Sequence, residues 1–132
     1  MDLDAHPYSE AQEVHWGSDI QKIEWLEGQL SVLVARELLP NHRVSGLRIH
    51  FDSVSGVRLL DELDLARYWN AKNFPFGHHV LKVKSGGWSS EENCLQGFPI
   101  DRSEWLIVTG NGCLSVFSQS DPHIDSVEFD AS

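Results

Sequence analysis

The pair of side chains that most suggests chemistry is His50 with Asp52, two residues apart in LRIHFD. Residues two apart on a strand project from the same face, so the imidazole and carboxylate would lie beside the guanidinium of Arg48. Such a group could bind a metal ion or pair an acid with a base. A metal site needs three or four ligands, and no His-x-His or Glu-x-x-His motif supplies the others. We therefore expect a solvated strand face here, with a metal site at His50 and Asp52 as the alternative.

No other motif predicts a reaction or a cofactor. The glycines of TGNG and SGGW complete neither the G-x-x-x-x-G-K-[ST] loop nor the G-x-G-x-x-G turn that bind phosphates. A nucleophilic Cys or Ser needs a neighbouring base, and the sequence alone cannot place a His next to Cys94, Cys113 or any Ser. We accordingly name no catalytic residue and no cofactor, and we expect a protein without enzymatic activity.

A second candidate is the stretch GGWSSEEN, which could contact another protein. Trp88 follows two glycines and has no periodic reason to be buried, and Trp is enriched in the residues that dominate binding energies. Glu91 and Glu92 add negative charge, although adjacent acids are usually only solvated. The sequence predicts an irregular, polar excursion here with one helical turn near Ser90 to Leu95. Trp88, Glu91 and Glu92 are the predicted partner-binding residues.

The elements that must position these residues begin with LRIHFDSVSGVRLLDELDLARYW, residues 47–69. Apolar and polar residues alternate over 47–51, the pattern of a strand with one buried face. Asp52-Ser53 favours a turn and the alternation resumes at Val57, so an antiparallel hairpin is predicted. A helix from Asp61 to Asn70 should follow, capped by the Asp61 carboxylate and packed on the sheet through Leu65, Tyr68 and Trp69.

The rest of the chain predicts further antiparallel strands. IQKIEWLE and QLSVLVARELL flank a turn at Glu27-Gly28, and the second of these strands should lie centrally because both its faces are apolar. HVLKVK directs Lys82 and Lys84 outward, as is typical of an edge strand. Asn111-Gly112 between WLIVT and CLSVF is the strongest hairpin signal, since both residues tolerate positive φ. IDSVEF should add a last short edge strand.

These elements predict an α+β fold that is mainly β. We expect a curled antiparallel sheet, or a partly open barrel or sandwich, of six to seven strands with the one short helix packed on it. Its 132 residues, 41% of them hydrophobic, suit a single domain. The first 18 residues should form a loose arm, and four acids between Asp121 and Asp130 should keep an acidic tail solvated.

Charge and cysteine content limit the partners and the compartment. A formal net charge of −10 disfavours binding to nucleic acid and favours a basic protein partner. Neither a membrane-spanning apolar run nor a secretory signal is visible, so we expect a cytoplasmic protein without membrane contact. Two cysteines suggest reduced thiols, although one Cys94–Cys113 bridge is also compatible with the sequence. A homo-oligomer could form through the Lys82 strand or the last strand.

Several segments also resemble a known group of proteins. The carrying features are F-x-x-V at Phe51 to Val54, Arg58 followed by Asp61-Glu62, Tyr68-Trp69, Val83 through Trp88, and V-F-S followed by Pro122-x-Ile124. Together they resemble small uncharacterised bacterial proteins, some of which look like immunity proteins of polymorphic-toxin systems.

The resemblance covers about two-thirds of the chain, from Leu47 to Ile124, and rests mainly on fold-making residues. It implies a β-rich domain without a known active site, and it carries over no catalytic residue. The expected function is therefore a non-enzymatic protein-binding module, an immunity-type inhibitor of a cationic bacterial toxin. The alternative is a β-barrel protein that binds a small molecule or a metal and could be enzymatic.

Overall fold

A computed structural model of the chain describes residues 3–8, 17–60, 77–97 and 102–131. In these residues the fold is α+β and mainly β, as predicted, with nine strands in two antiparallel sheets and one α-helix. The described strands do not close into a barrel. The strands are β1 (Asp4–Pro7), β2 (Asp19–Leu26), β3 (Gln29–Leu39), β4 (Arg43–Phe51), β5 (Val54–Leu60), β6 (Val80–Ser85), β7 (Glu104–Val108), β8 (Cys113–Ser118) and β9 (His123–Asp130), and the helix is α1 (Trp88–Gln96).

The two sheets contain five and four strands. The five-stranded sheet has the order β1-β6-β7-β8-β5, and the four-stranded sheet has the order β2-β3-β4-β9. β3 lies between β2 and β4, which confirms its predicted central place. β9 forms an edge of its sheet, as predicted for the last strand, and β2 forms the opposite edge.

A core lies between the facing surfaces of the two sheets. Alternate residues of β3 and β4 face it from one side, and alternate residues of β7 and β8 from the other, as the period of two requires. Trp105 is 1% exposed at its centre, where Tyr8 and Phe51 meet its ring edge to face. A second apolar cluster covers the far face of the five-stranded sheet and includes Leu81 and Leu106. β7 and β8 are therefore buried on both faces.

The predicted hairpin over residues 47–60 is wrong, because its two strands belong to different sheets. β4 pairs with β3 and β9, whereas β5 pairs with β8. The chain crosses from one sheet to the other at Asp52-Ser53, where the Val54 N–H donates to the Gly28 carbonyl at 2.7 Å. Alternation correctly placed Phe51 in the core and Val57 against it, whereas Leu59, which continues the same pattern, is 63% exposed. Alternation carries no information on which strand each residue pairs with.

The hairpin of β7 and β8 is confirmed, with Val108 opposite Cys113. The conformation of its turn differs from the prediction, because neither Asn111 nor Gly112 has a positive φ. The Thr109 hydroxyl donates to the Gly112 carbonyl at 2.7 Å and accepts from the N–H groups of Gly112 and Asn111 at 3.0 and 3.3 Å. A side-chain oxygen thus organises this turn.

The predicted edge position of HVLKVK is wrong, although Lys82 and Lys84 are exposed. β6 has a neighbour on each side, because β1 pairs with it along Asp4–Pro7. That short strand lies within the predicted loose arm, where the buried side chains of Leu3 and Ala5 pin it to the outer apolar cluster. The strand count rises above the predicted six to seven partly for this reason.

Two predicted helical segments have different outcomes. The helix from Asp61 to Asn70 lies outside the described residues. The single turn near Ser90 to Leu95 is a longer helix, α1, whose nine residues begin at Trp88 and end at Gln96. Gly97 has a φ of 84° and its N–H donates to the Asn93 carbonyl, so a glycine in the left-handed conformation ends the helix.

Candidate functional site

A buried carboxylate, Glu104 on β7, anchors the start of α1 to the five-stranded sheet. Glu104 is 2% exposed, and its two oxygens accept the backbone N–H groups of Trp88 and Ser89 at 2.9 and 2.8 Å. These N–H groups belong to the first turn of the helix, where backbone donors have no partner within the helix. Gly87 leaves the necessary space, because a Cβ there would clash with the Glu104 carboxylate.

Burial dominates the electrostatics of this carboxyl. Loss of hydration raises the pKa of Glu104, while the N–H bonds from Ser89 and Trp88 and the charge of Arg58 lower it. The carboxyl therefore holds a proton to a higher pH than an exposed glutamate does. Sequence reasoning missed this residue, although alternation with Leu106 and Val108 places Glu104 on the outer face of β7, opposite Trp105.

Trp88 is stacked on the sheet, whereas the sequence predicted an exposed loop residue. Its ring lies 4.0 Å from that of Phe117 with 14° between the planes, and it is half-buried. Gly56 makes the contact possible, since a Cβ at that position would lie 2.9 Å from Phe117 and 3.2 Å from Trp88. The signal for this packing was Gly56 itself, a glycine inside a strand, which often marks a close approach.

The predicted acidic pair of α1 is also engaged within the chain. Glu91 forms an ion pair with Arg58 at 2.6 Å, and both side chains are largely shielded from solvent. Glu92 accepts the indole N–H of Trp88 at 2.9 Å, and the Arg58 guanidinium lies 5.1 Å from the centre of that ring. The structure thus brings Trp88, Glu91 and Glu92 into one cluster that holds α1 on β5.

A small cavity of about 160 Å³ adjoins this cluster, lined in part by Ser89, Asn93, Arg102 and Glu104. Arg102 donates to the Asn93 side chain at 3.0 Å, and its guanidinium lies 5.4 Å from the Phe117 ring. Both oxygens of Glu104 already accept hydrogen bonds from the helix. The geometry therefore explains these polar groups by the attachment of α1 to the sheet.

His50 and Asp52 lie together at the end of β4, as the sequence predicted. The His50 Nε2 is 3.1 Å from the Asp52 carboxylate, and both residues lie at the surface. His123 on β9 is the cross-strand neighbour of His50. Within the described ranges, no three His, Cys, Asp or Glu side chains are arranged to hold a metal ion.

The remaining reactive side chains have different environments. Cys94 is exposed, Cys113 is buried, and both are free thiols. Burial raises the pKa of the Cys113 thiol. His79 is fully buried, with its Nδ1 2.6 Å from the Val108 carbonyl and its Nε2 accepting from Arg36 at 3.2 Å. Because Arg36 lies on β3 and Val108 on β7, His79 connects the two sheets.

The four-stranded sheet ends in two edges of opposite chemistry. β9 carries Asp125, Glu128 and Asp130, all exposed, and among the described strands it pairs with β4 alone. β2 carries the exposed apolar side chains Ile23 and Trp25. An edge strand presents unpaired backbone N–H and C=O groups, which makes it a template for pairing with another chain.

Comparisons of this chain with protein-family models, with curated proteins and with solved structures give no match. In the part of the chain that the structure describes, no helix is both long and apolar enough to span a membrane.

Proposed function

We propose that this chain is a non-enzymatic protein-binding module, an immunity-type inhibitor of a cationic bacterial toxin in the cytoplasm. The observation that carries the proposal is the acidic edge strand β9. We propose that a basic, extended segment of the partner adds a strand to this edge.

The backbone of β9 offers a regular set of free groups. The Ala131 N–H donates to the His42 carbonyl at 2.7 Å, one step beyond the Arg43–Asp130 pair. Along an antiparallel ladder, residues that exchange hydrogen bonds alternate with residues that do not. The N–H groups of every second residue from Ile124 to Asp130, including Ser126, therefore point away from β4. A partner strand can bond to these groups without disturbing the sheet.

The side chains of β9 suit a cationic strand. Asp125 and Glu128 project from opposite faces, so a paired segment would meet a carboxylate on both of its own faces. Arg43 already pairs with Asp130 at 2.8 Å, and Arg48 lies opposite Asp125. Exposed ion pairs contribute only about 0.2–1 kcal/mol each, so we expect the acids to select the partner and to speed association.

The same charges disfavour pairing of β9 with a second copy of itself. Two antiparallel β9 strands would bring together three acids from each copy, Asp125, Glu128 and Asp130, with no Lys or Arg on either strand, so their net repulsion disfavours the pair. This favours a basic protein over self-association at this edge.

Trp88, Glu91 and Glu92 remain a predicted binding surface, but the geometry favours β9. The side chains of these three residues already contact Phe117, Arg58 and one another. A partner would have to break those contacts, whereas no other strand in the described ranges pairs with the outer edge of β9. The metal- or ligand-binding alternative has the His50–Asp52 pair as its support, and it predicts a rise in melting temperature on addition of zinc.

The function can be tested with tagged protein as bait in a lysate of its source organism. Ser126→Pro removes one outward N–H without removing a bond to β4, and Ser126→Ala retains that N–H. Glu128→Lys reverses a charge on β9, and Glu37→Lys makes the same change of net charge on β3. We expect wild type, Ser126→Ala and Glu37→Lys to retain the same basic protein, and the other two variants to lose it.

Co-expression of the retained protein then tests inhibition. Wild type and Ser126→Ala should restore the growth of cells that produce it, and Ser126→Pro should not, while melting temperatures confirm that each variant folds. Retention of no specific protein, or equal retention by Ser126→Pro and Glu128→Lys, would contradict the proposal.

A further inference from the structure

The opposite edge of the four-stranded sheet, β2, pairs with β3 alone among the described strands and exposes large apolar side chains. Ile23, Trp25 and Leu26 are 38%, 49% and 75% exposed. Natural edge strands are normally guarded by charges, by proline or by very short length, because a long apolar edge promotes pairing with another chain. β2 is eight residues long and contains no proline, and its charged residues Lys22 and Glu24 form an ion pair with each other.

The turn after β2 determines which backbone groups are free. Glu27 and Gly28 form a two-residue loop with φ angles of 53° and 79°, and Leu26 lies opposite Gln29. In such a hairpin the residues that flank the loop exchange both hydrogen bonds, and bonded pairs then recur at every second position. The N–H groups of Leu26, Glu24 and Lys22 thus face β3, and those of Trp25 and Ile23 point outward. The alternation stops at Gln21, where the pairing of β2 with β3 shifts register.

We propose that β2 pairs antiparallel with β2 of a second copy of this chain, about a twofold axis at Ile23. In this register Ile23 lies opposite the partner subunit's Ile23, and Gln21 lies opposite the partner subunit's Trp25. The backbone groups of Ile23 and Trp25 point outward, so the donors and acceptors of the central Ile23 pair are available.

The charges of β2 are self-complementary in the same register. Lys22 falls opposite the partner subunit's Glu24, and Glu24 opposite the partner subunit's Lys22, as a twofold axis requires. These are non-hydrogen-bonded positions, where opposed side chains lie closest. Within one copy Lys22 and Glu24 form an exposed ion pair at 2.7 Å, and Lys22 lowers the pKa of Glu24. Glu24 therefore carries its negative charge at neutral pH.

An apolar groove beside β2 can receive the partner's side chains. It has a volume of about 420 Å³ and is lined by residues 19–23 of β2 and by Leu59 and Leu60 of β5, the edge strand of the other sheet. Leu59 is 63% exposed. Ile23 and Trp25 project from the face of the sheet that faces the core, since they lie opposite the buried Val32 and Leu30. Pairing of two copies would shield these side chains from water.

This assembly joins two four-stranded sheets into one sheet of eight strands. β9 lies at the far edge of each copy, so the dimer leaves both acidic edges free. Dimerisation at β2 is thus independent of the function proposed for β9, and either can fail without the other.

Charge-swapped variants isolate the contact between copies. Lys22→Glu places a new carboxylate opposite the partner's Glu24, and Glu24→Lys places two lysines opposite each other, so each variant should dimerise roughly tenfold more weakly. An equimolar mixture of the two variants restores both opposite-charge contacts between chains. Within each chain, residues 22 and 24 remain alike in charge, so recovery in the mixture reports only the contact between copies.

Sedimentation equilibrium over a concentration series measures the assembly, with a monomer of 14.9 kDa. We expect wild type to dimerise, Ile23→Lys to remain monomeric, and the mixture of charge variants to recover the wild-type Kd. A wild-type monomer at millimolar concentration would overturn the proposal. So would a dimer that is unaffected by Ile23→Lys, or one that dissociates in Ser126→Pro, which would place the contact at β9.

Discussion

Replacement of Thr109 by valine, a side chain of nearly the same shape, should remove the hydroxyl hydrogen bonds that stabilise the turn between β7 and β8. The hydroxyl makes two hydrogen bonds with Gly112 at 2.7 and 3.0 Å and a longer one with the Asn111 N–H at 3.3 Å. The Gly112 carbonyl keeps a second donor, the Thr109 N–H at 2.9 Å. The buried Gly112 N–H loses the hydroxyl as its acceptor.

The magnitude follows from these contacts. A neutral hydrogen bond contributes about 0.5–1.5 kcal/mol, and a buried donor without an acceptor costs about 1–3 kcal/mol. Because the longest bond adds little, we expect Thr109→Val to lower the free energy of unfolding by about 2 kcal/mol. For a chain of this length that loss corresponds to a decrease in melting temperature of about 7 °C.

Urea unfolding followed by circular dichroism measures the loss, and Thr109→Ser is the control. The serine keeps the hydroxyl and loses one buried methyl group, at about 0.8 kcal/mol. Hydrogen exchange distinguishes the two causes, since the Gly112 amide should exchange faster in Thr109→Val than in Thr109→Ser. Neutral surface substitutions change the free energy of unfolding by up to roughly 0.5 kcal/mol. If the valine variant differs from wild type by no more than this and its Gly112 amide stays protected, the hydroxyl does not organise the turn.

The attachment of α1 gives two further predictions. Burial raises the pKa of Glu104 in the native state, so the native state binds a proton more tightly than the unfolded chain does. The stability of wild type therefore falls as the pH rises from the ordinary carboxyl range through the raised pKa. Glu104→Gln cannot titrate, and it should gain stability relative to wild type over that window in urea titrations; a difference independent of pH would contradict this. Gly56→Ala brings a methyl group within 2.9 Å of Phe117 and 3.2 Å of Trp88, and it should cost about 1–3 kcal/mol and alter the near-ultraviolet dichroism. Gly17→Ala, with open space around it, is the neutral control. Equal stability of the two alanine variants would show that the stacked rings of Trp88 and Phe117 accommodate the methyl group without cost.

The sequence predicted the strands better than their partners. Alternation is a local property, so it located β3, the β7–β8 hairpin and β9 correctly. Pairing depends on distant residues, and the crossing at Asp52-Ser53 looks locally the same as a hairpin turn. The short strand β1 has only four residues and a proline, too little pattern to distinguish it from an arm.

The polar groups that hold α1 were missed for a related reason. Glu104 precedes WLIV and would ordinarily be assigned to a solvated strand end. Its burial depends on backbone donors at Trp88 and Ser89, which approach only when α1 lies on the sheet. His79 is similar, because its partners lie on β3 and near the end of β7. Buried polar residues are specified by tertiary contacts, whereas exposed acids on an edge strand are already visible in the sequence.

The two edges of the four-stranded sheet show how one architecture can separate two kinds of recognition. Both edges offer outward backbone donors and acceptors, and these groups alone cannot discriminate between a second copy and a foreign chain. Side-chain charge supplies the discrimination: β9 repels its own copy, whereas Lys22 and Glu24 on β2 match theirs. If discrimination works in this way, transferring the β9 charges to β2 should abolish self-pairing there. A variant with Lys22→Glu and Gln21→Asp should therefore remain monomeric while its affinity for a basic partner at β9 is unchanged.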